Sequence, residues 1–142
     1  MGASLAQRVG PIIGGFYVAI GVIGFFVTGF DNFLQNTSES LVGFSVNPMH
    51  NLVHLAIGAF LIVMSTRAST PVAEGAVMGV GLFYITAFVI GVTAPDNLTI
   101  ISMYGAGDLE NFNHIVNGVL LLTVGLLSSA RTQSQMRQQG LT

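Results

Sequence analysis

A polytopic four-helix bundle embedded in a membrane is the fold this chain predicts, on three observations. Hydrophobic residues make up 51% of the chain and charged residues only 7%, whereas in soluble domains about a quarter of residues are charged. The mean hydropathy is +0.74. Four apolar stretches, separated by polar segments, each approach the roughly 20 residues that a helix needs to cross the hydrocarbon core. In lipid the backbone must satisfy its own hydrogen bonds, so spans of this length are helical and the class is all-α. Four spans use up most of the 142 residues, which leaves one domain and no room for a separate soluble catalytic domain.

The first span is expected over about 9–30. A cleaved signal peptide with Arg8 as its basic region is the competing reading. Against it stand the full-span length, the lack of a small-x-small site before a polar region, and the three apolar segments that follow. Gly10, Gly14, Gly15, Gly21, Gly24 and Gly29 fall in this span. Gly10 and Gly14 have the spacing at which two membrane helices approach closely. A polar loop covers 31–46; its Asn36-Thr37-Ser38 fits a glycosylation acceptor, a match of low specificity.

The second span, about 48–65, opens with Asn47 as N-cap and Pro48 at the first helical position, where its missing N–H costs nothing. The short turn Arg67-Ala68-Ser69-Thr70 predicts an antiparallel hairpin with the third span, about 71–93. Gly75, Gly79 and Gly81 give that span the same small-residue character. Pro95 ends it, and 96–108 forms a second loop. Asp108 caps the fourth span, about 109–129, with Glu110 in its first turn, where a negative charge complements the helix N-terminus. Residues 131–142 read as a frayed polar tail.

The arginines set the orientation. Arg8, Arg67, Arg131 and Arg137 lie at the N-terminus, the second turn and the tail, while the other two loops carry no Lys or Arg. The positive-inside rule then puts both termini in the cytoplasm and the two long loops outside.

Two frames recur. Asn51-x-x-His54-x-x-x-Gly58 is restated as Asn111-x-x-His114-x-x-x-Gly118, and Gly14-x-Phe16-Tyr17 with Gly24 as Gly81-x-Phe83-Tyr84 with Gly91. Each half is therefore helix, loop, helix, and the fold expected is two tandem helix-hairpin repeats related by a pseudo-two-fold along the membrane normal. His54 and His114 become mates, and the counterpart of His50 is Glu110.

With N-P-M-H-N-L-V-H-L-x-x-G opening the second span and N-x-x-H-x-x-x-G the fourth, the chain resembles a family of small four-helix membrane proteins found mainly in actinobacteria, catalogued as domain of unknown function 4383. The resemblance covers about residues 8–130. It implies a bacterial inner-membrane protein and brings no mechanism.

Three readings of the histidines stay open. In the structural one, they hydrogen-bond Asn51, Asn111, Asn113 or Asn117 and hold helices together where lipid supplies no hydrophobic drive. In the second, His50 and His54, one helical turn apart, join His114 as neutral ligands of a zinc-like ion, with Glu110 or Asp108 nearby. In the third, His54 and His114 clasp a b-type haem, though the outer side offers no Arg or Lys for its propionates. A quinone, lipid or pigment site is the remainder. Phe16-Tyr17 and Phe83-Tyr84 either line a cavity or pack against glycine gaps. Glu74, an acid inside a span, is a functional candidate by default, or serves the nearby helix N-terminus.

The sequence offers no nucleophile–base pair, phosphate loop or mid-membrane carboxylate pair. Without Cys there is no disulfide or thiolate chemistry, and a net charge of −2 provides no basic surface for nucleic acid. The expected function is thus a non-enzymatic structural or accessory subunit of a membrane assembly, working as a homo-oligomer or with other membrane subunits. The alternative is a metal- or haem-binding redox protein.

Overall fold

The computed structural model describes residues 2–103 and 105–141. Four long helices organise them: α1 (Leu5–Thr28), α2 (Pro48–Arg67), α3 (Thr70–Thr93) and α4 (Leu109–Gln138). Each is long and apolar enough to cross a membrane.

Local chemistry sets the helix ends. α1 starts ahead of its apolar run because Ser4 and Gln7 close a capping box, Ser4 Oγ accepting from Gln7 N at 3.3 Å and Gln7 Oε1 accepting from Ser4 N at 3.0 Å. It stops where Gly29 takes φ 62°, open to glycine at little cost. Asn47 Oδ1 accepts from His50 N at 2.8 Å to start α2, and Asp108 accepts from Glu110 N at 3.0 Å to start α4. The polar stretch expected to fray instead continues α4 to Gln138. Its Thr132 is anchored on Glu74, and the Gln, Arg and Met that follow are good helix formers.

Both long loops hold structure that hydropathy does not announce. The first forms a hairpin of β1 (Ser40–Leu41) and β2 (Phe44–Ser45). The second begins with a 3₁₀ helix, Pro95–Ile101. Asn47 joins them, its Nδ2 donating to Gln35 O at 3.0 Å and to Ile100 O at 2.9 Å. The bundle thus has a loop end and, opposite it, an arginine end where α1 begins, α2 turns into α3, and α4 finishes.

α1 packs along α2 and α3 along α4, while the seam between the two pairs is thinner. α2 and α3, joined by the short turn, therefore touch less than the long-loop pairs do. Glycine explains the difference. A Cβ on Gly14 would stand 2.7 Å from Gly58 O, and one on Gly81 2.6 Å from Leu122 N and 2.9 Å from Gly118 O; these backbones meet with nothing between them. Gly10 is likewise filled by Ser65. Gly75 and Gly79 do not take the packing role expected of them: a Cβ there meets nothing within 4 Å, because both lie on the exposed face of α3, away from α4. Tyr17, Leu61, Val77, Val80, Tyr84 and Leu121 fill the centre. Phe16, Phe26, Leu82 and Leu120 point outward, as suits a lipid surroundings.

Near the arginine end, Glu74 is 4% exposed. It accepts from Ser128 Oγ at 2.9 Å and Thr132 Oγ1 at 2.7 Å, and Ser128 Oγ accepts from Ala6 N at 3.0 Å. This acid is a tie between α3, α4 and α1.

Candidate functional site

At the loop end the first turns of α2 and α4 bring His50, His54, Glu110 and His114 inside, none more than 7% exposed. His50 and His54, one turn apart, face the same way, with ring centroids 4.6 Å apart. Beyond His50 the backbones of Ser45 and Ile101 stand next to its ring, so hairpin and 3₁₀ helix together roof the site. Glu110 and His114 are likewise one turn apart, with Glu110 Oε2 4.0 Å from His114 Nε2.

Among the described residues, the side chains of Asn51, Asn111, Asn113 and Asn117 do not bond the histidine rings. Asn51 Nδ2 donates to Thr28 Oγ1 at 2.9 Å, and Asn111 Nδ2 to Gly105 O and Ala106 O at 3.0 and 3.1 Å. Their Oδ1 atoms press on Gly24 and Gly91 respectively, the geometry of weak Cα–H···O contacts. Asn113 and Asn117 form a directed chain. Tyr17 OH donates to Asn117 Oδ1 at 2.8 Å, Asn117 Nδ2 to Asn113 Oδ1 at 2.8 Å, and Asn113 Nδ2 to Glu110 Oε2 at 3.5 Å. Every donor in that chain points toward the Glu110 carboxylate.

The histidines are held instead by aromatic rings. Tyr17 stacks on His54 (centroids 5.8 Å, planes 10° apart), Tyr17 meets Tyr84 at 5.6 Å, and Tyr84 meets His114 at 5.5 Å. His54 and His114 each lie against a tyrosine ring, so they are not opposed across an open slot, and the arrangement does not fit a haem clasped between them.

Nδ1 of His50, His54 and His114 has no hydrogen-bond partner among the described residues, and the Tyr84 hydroxyl stands beside that of Tyr17 without a bond of acceptable geometry. Buried polar atoms are rarely left so. All four residues line a cavity of about 230 Å³ between α2 and α3 beneath the 3₁₀ helix, with otherwise mainly apolar walls that include Val53, Ala87, Ile90 and Ile101.

Of the proposed metal ligands, the structure gathers His50 and His114 with Glu110, one donor atom from each lying within 4.8 Å of the others; His54 is outside that group. Sequence reasoning had Glu110 only as a neighbour. Its occupation of the position equivalent to His50 in the repeated frame was the signal that it belonged to the site. Nothing along the chain singled out Ala87 or the 3₁₀ helix as walls of the cavity.

The fold and this cluster define a class: a small four-helix protein of the membrane-spanning type, with a buried polar site at one end of its bundle. Over residues 7–128 the chain matches the family model described as domain of unknown function (DUF4383), and it belongs to that family. No curated protein and no solved structure matches it.

Proposed function

We propose that this protein is a non-enzymatic accessory protein of the bacterial inner membrane that holds a lipid-soluble small molecule, bearing one oxygen-containing head group, at the outer end of its bundle. The observation that carries this reading is a cavity whose lining residues include Tyr84, His50, His54 and His114, together with a Tyr84 hydroxyl and three histidine Nδ1 atoms that are buried beside it without partners among the described residues. An acceptor oxygen on the ligand would take the Tyr84 hydrogen and relieve a desolvation cost of about 1–3 kcal/mol. The thin α2/α3 seam is the natural entry, because it opens to hydrocarbon and not to water. A volume of about 230 Å³ suits a single-ring head or short polar head, the tail remaining in the bilayer.

The orientation, both termini cytoplasmic, rests on the gathering of Arg8, Arg67, Arg131 and Arg137 at one end. Matched contacts support the tandem-repeat reading: Gly14 on Gly58 and Gly81 on Gly118, Asn51 against Gly24 and Asn111 against Gly91. Exposed apolar side chains such as Phe26 and Phe83 suit lipid or the neighbouring subunits of an assembly.

The test is to purify the protein in lipid particles, extract it with solvent and identify retained molecules by mass spectrometry. Wild type should retain one amphiphile enriched over bulk lipid. Ala87→Phe, which fills the cavity from its wall, should release that molecule while leaving helix content unchanged. Equal retention by both proteins, or a wild-type extract with bulk composition, would refute the reading.

A further inference from the structure

We infer that His50, Glu110 and His114 form a binding site for one divalent transition-metal ion of the zinc type, with a fourth coordination position open to the cavity. The donor set is two imidazoles and a carboxylate, which borderline divalent ions accept. One donor atom of each residue lies within 4.8 Å of the others, and all three residues are buried. In a tetrahedral site with metal–ligand bonds of about 2.0–2.1 Å, donors sit about 3.4 Å apart. The atoms are thus already grouped, and closure by roughly an ångström through side-chain torsions completes the set.

Three further features fit an ion at this point. The carboxylate is the end of the directed chain from Tyr17 through Asn117 and Asn113, the outer-sphere support that fixes a metal-bound carboxylate. The His50 ring lies next to the backbone of Ser45 and Ile101 at the roof, and its Nδ1 is without a partner among the described residues, which leaves that nitrogen uncommitted. His50 comes from α2 whereas Glu110 and His114 come from α4, and these two helices belong to different tightly packed pairs. An ion here clasps the two pairs across their thin seam. His50 and His114 both line the cavity, so the open position faces it.

The inference shares His50, His114 and the cavity with the ligand reading, but the two fail separately: Ala87→Phe closes the cavity and leaves all three donors in place. Tag-free protein, stripped with chelator, is titrated with Zn²⁺ and Co²⁺. Wild type should bind one equivalent, show visible Co²⁺ ligand-field bands and unfold at higher temperature with Zn²⁺. Glu110→Gln and His114→Gln should lose the bands, while His54→Gln keeps them. No saturable binding by wild type overturns the site, as does a Co²⁺ spectrum unchanged in Glu110→Gln. Should a variant not fold, Cu²⁺-loaded wild type decides by pulsed electron paramagnetic resonance: two coupled imidazoles support the site, and one or three overturn it.

Discussion

Gly14 and Gly58 meet backbone to backbone, so that a methyl carbon on Gly14 would stand 2.7 Å from Gly58 O and one on Gly58 would stand 2.6 Å from Gly14 O. Gly81 and Gly118 make the equivalent approach in the other pair. Gly14→Ala and Gly81→Ala should therefore each destabilise the protein by about 1–3 kcal/mol, the usual cost of overpacking. Gly75→Ala and Gly79→Ala enter open space and should be neutral or gain up to about 1 kcal/mol from helix propensity. Thermal unfolding in detergent separates the two groups, and equal effects at all four positions would contradict the packing described.

Asn111 ties the start of α4 to the loop before it through Gly105 O and Ala106 O. Asn111→Ala should cost about 1–3 kcal/mol, since it removes both bonds from a buried position. Amide hydrogen exchange should quicken at residues 105–108 before it does in the middle of the helices.

His54 is held by stacking on Tyr17 and by the adjacent His50 ring, and its Nδ1 has no partner among the described residues. His54→Phe should thus keep more stability than His54→Gln, because Phe keeps the ring contact, worth about 0.5–1.5 kcal/mol beyond its buried area. The opposite order in thermal unfolding would restore the view that this histidine serves as a hydrogen-bonding group.

Glu74 accepts from both Ser128 and Thr132, and Ser128 Oγ is also the acceptor for Ala6 N. Ser128→Ala leaves Glu74 and Ala6 each one bond short and should cost about 1–3 kcal/mol. Thr132→Ala should loosen the last turns of α4, seen as faster proteolysis after residue 130. If neither change is detectable, the acid does not tie the three helices together.

A reporter fused to the C-terminus should be active only on the cytoplasmic side, as the arginine end requires. External activity would invert the orientation and place the loop end, with its histidines, in the cytoplasm.

What the sequence determined by itself was the class. A chain this poor in charge and this long in apolar stretches has no solution but hydrogen-bonded helices in lipid, and caps such as Asn47 and Asp108 are local chemistry, readable within a few residues. The spacing of His50 and His54, or of Glu110 and His114, likewise fixed which side chains share a helix face. Only the tertiary structure decided which faces meet. A helix rich in glycine along its whole length can turn any of several small residues to its neighbour. Packing selected Gly81, opposite Gly118, and left Gly75 and Gly79 outside. The same choice of rotation sent Asn51 and Asn111 to loop and helix-end oxygens, put tyrosines against His54 and His114, and brought Glu110 from α4 to His50 from α2. Such pairings join residues far apart in the chain, and helical spacing, which is a local quantity, carries no information about them.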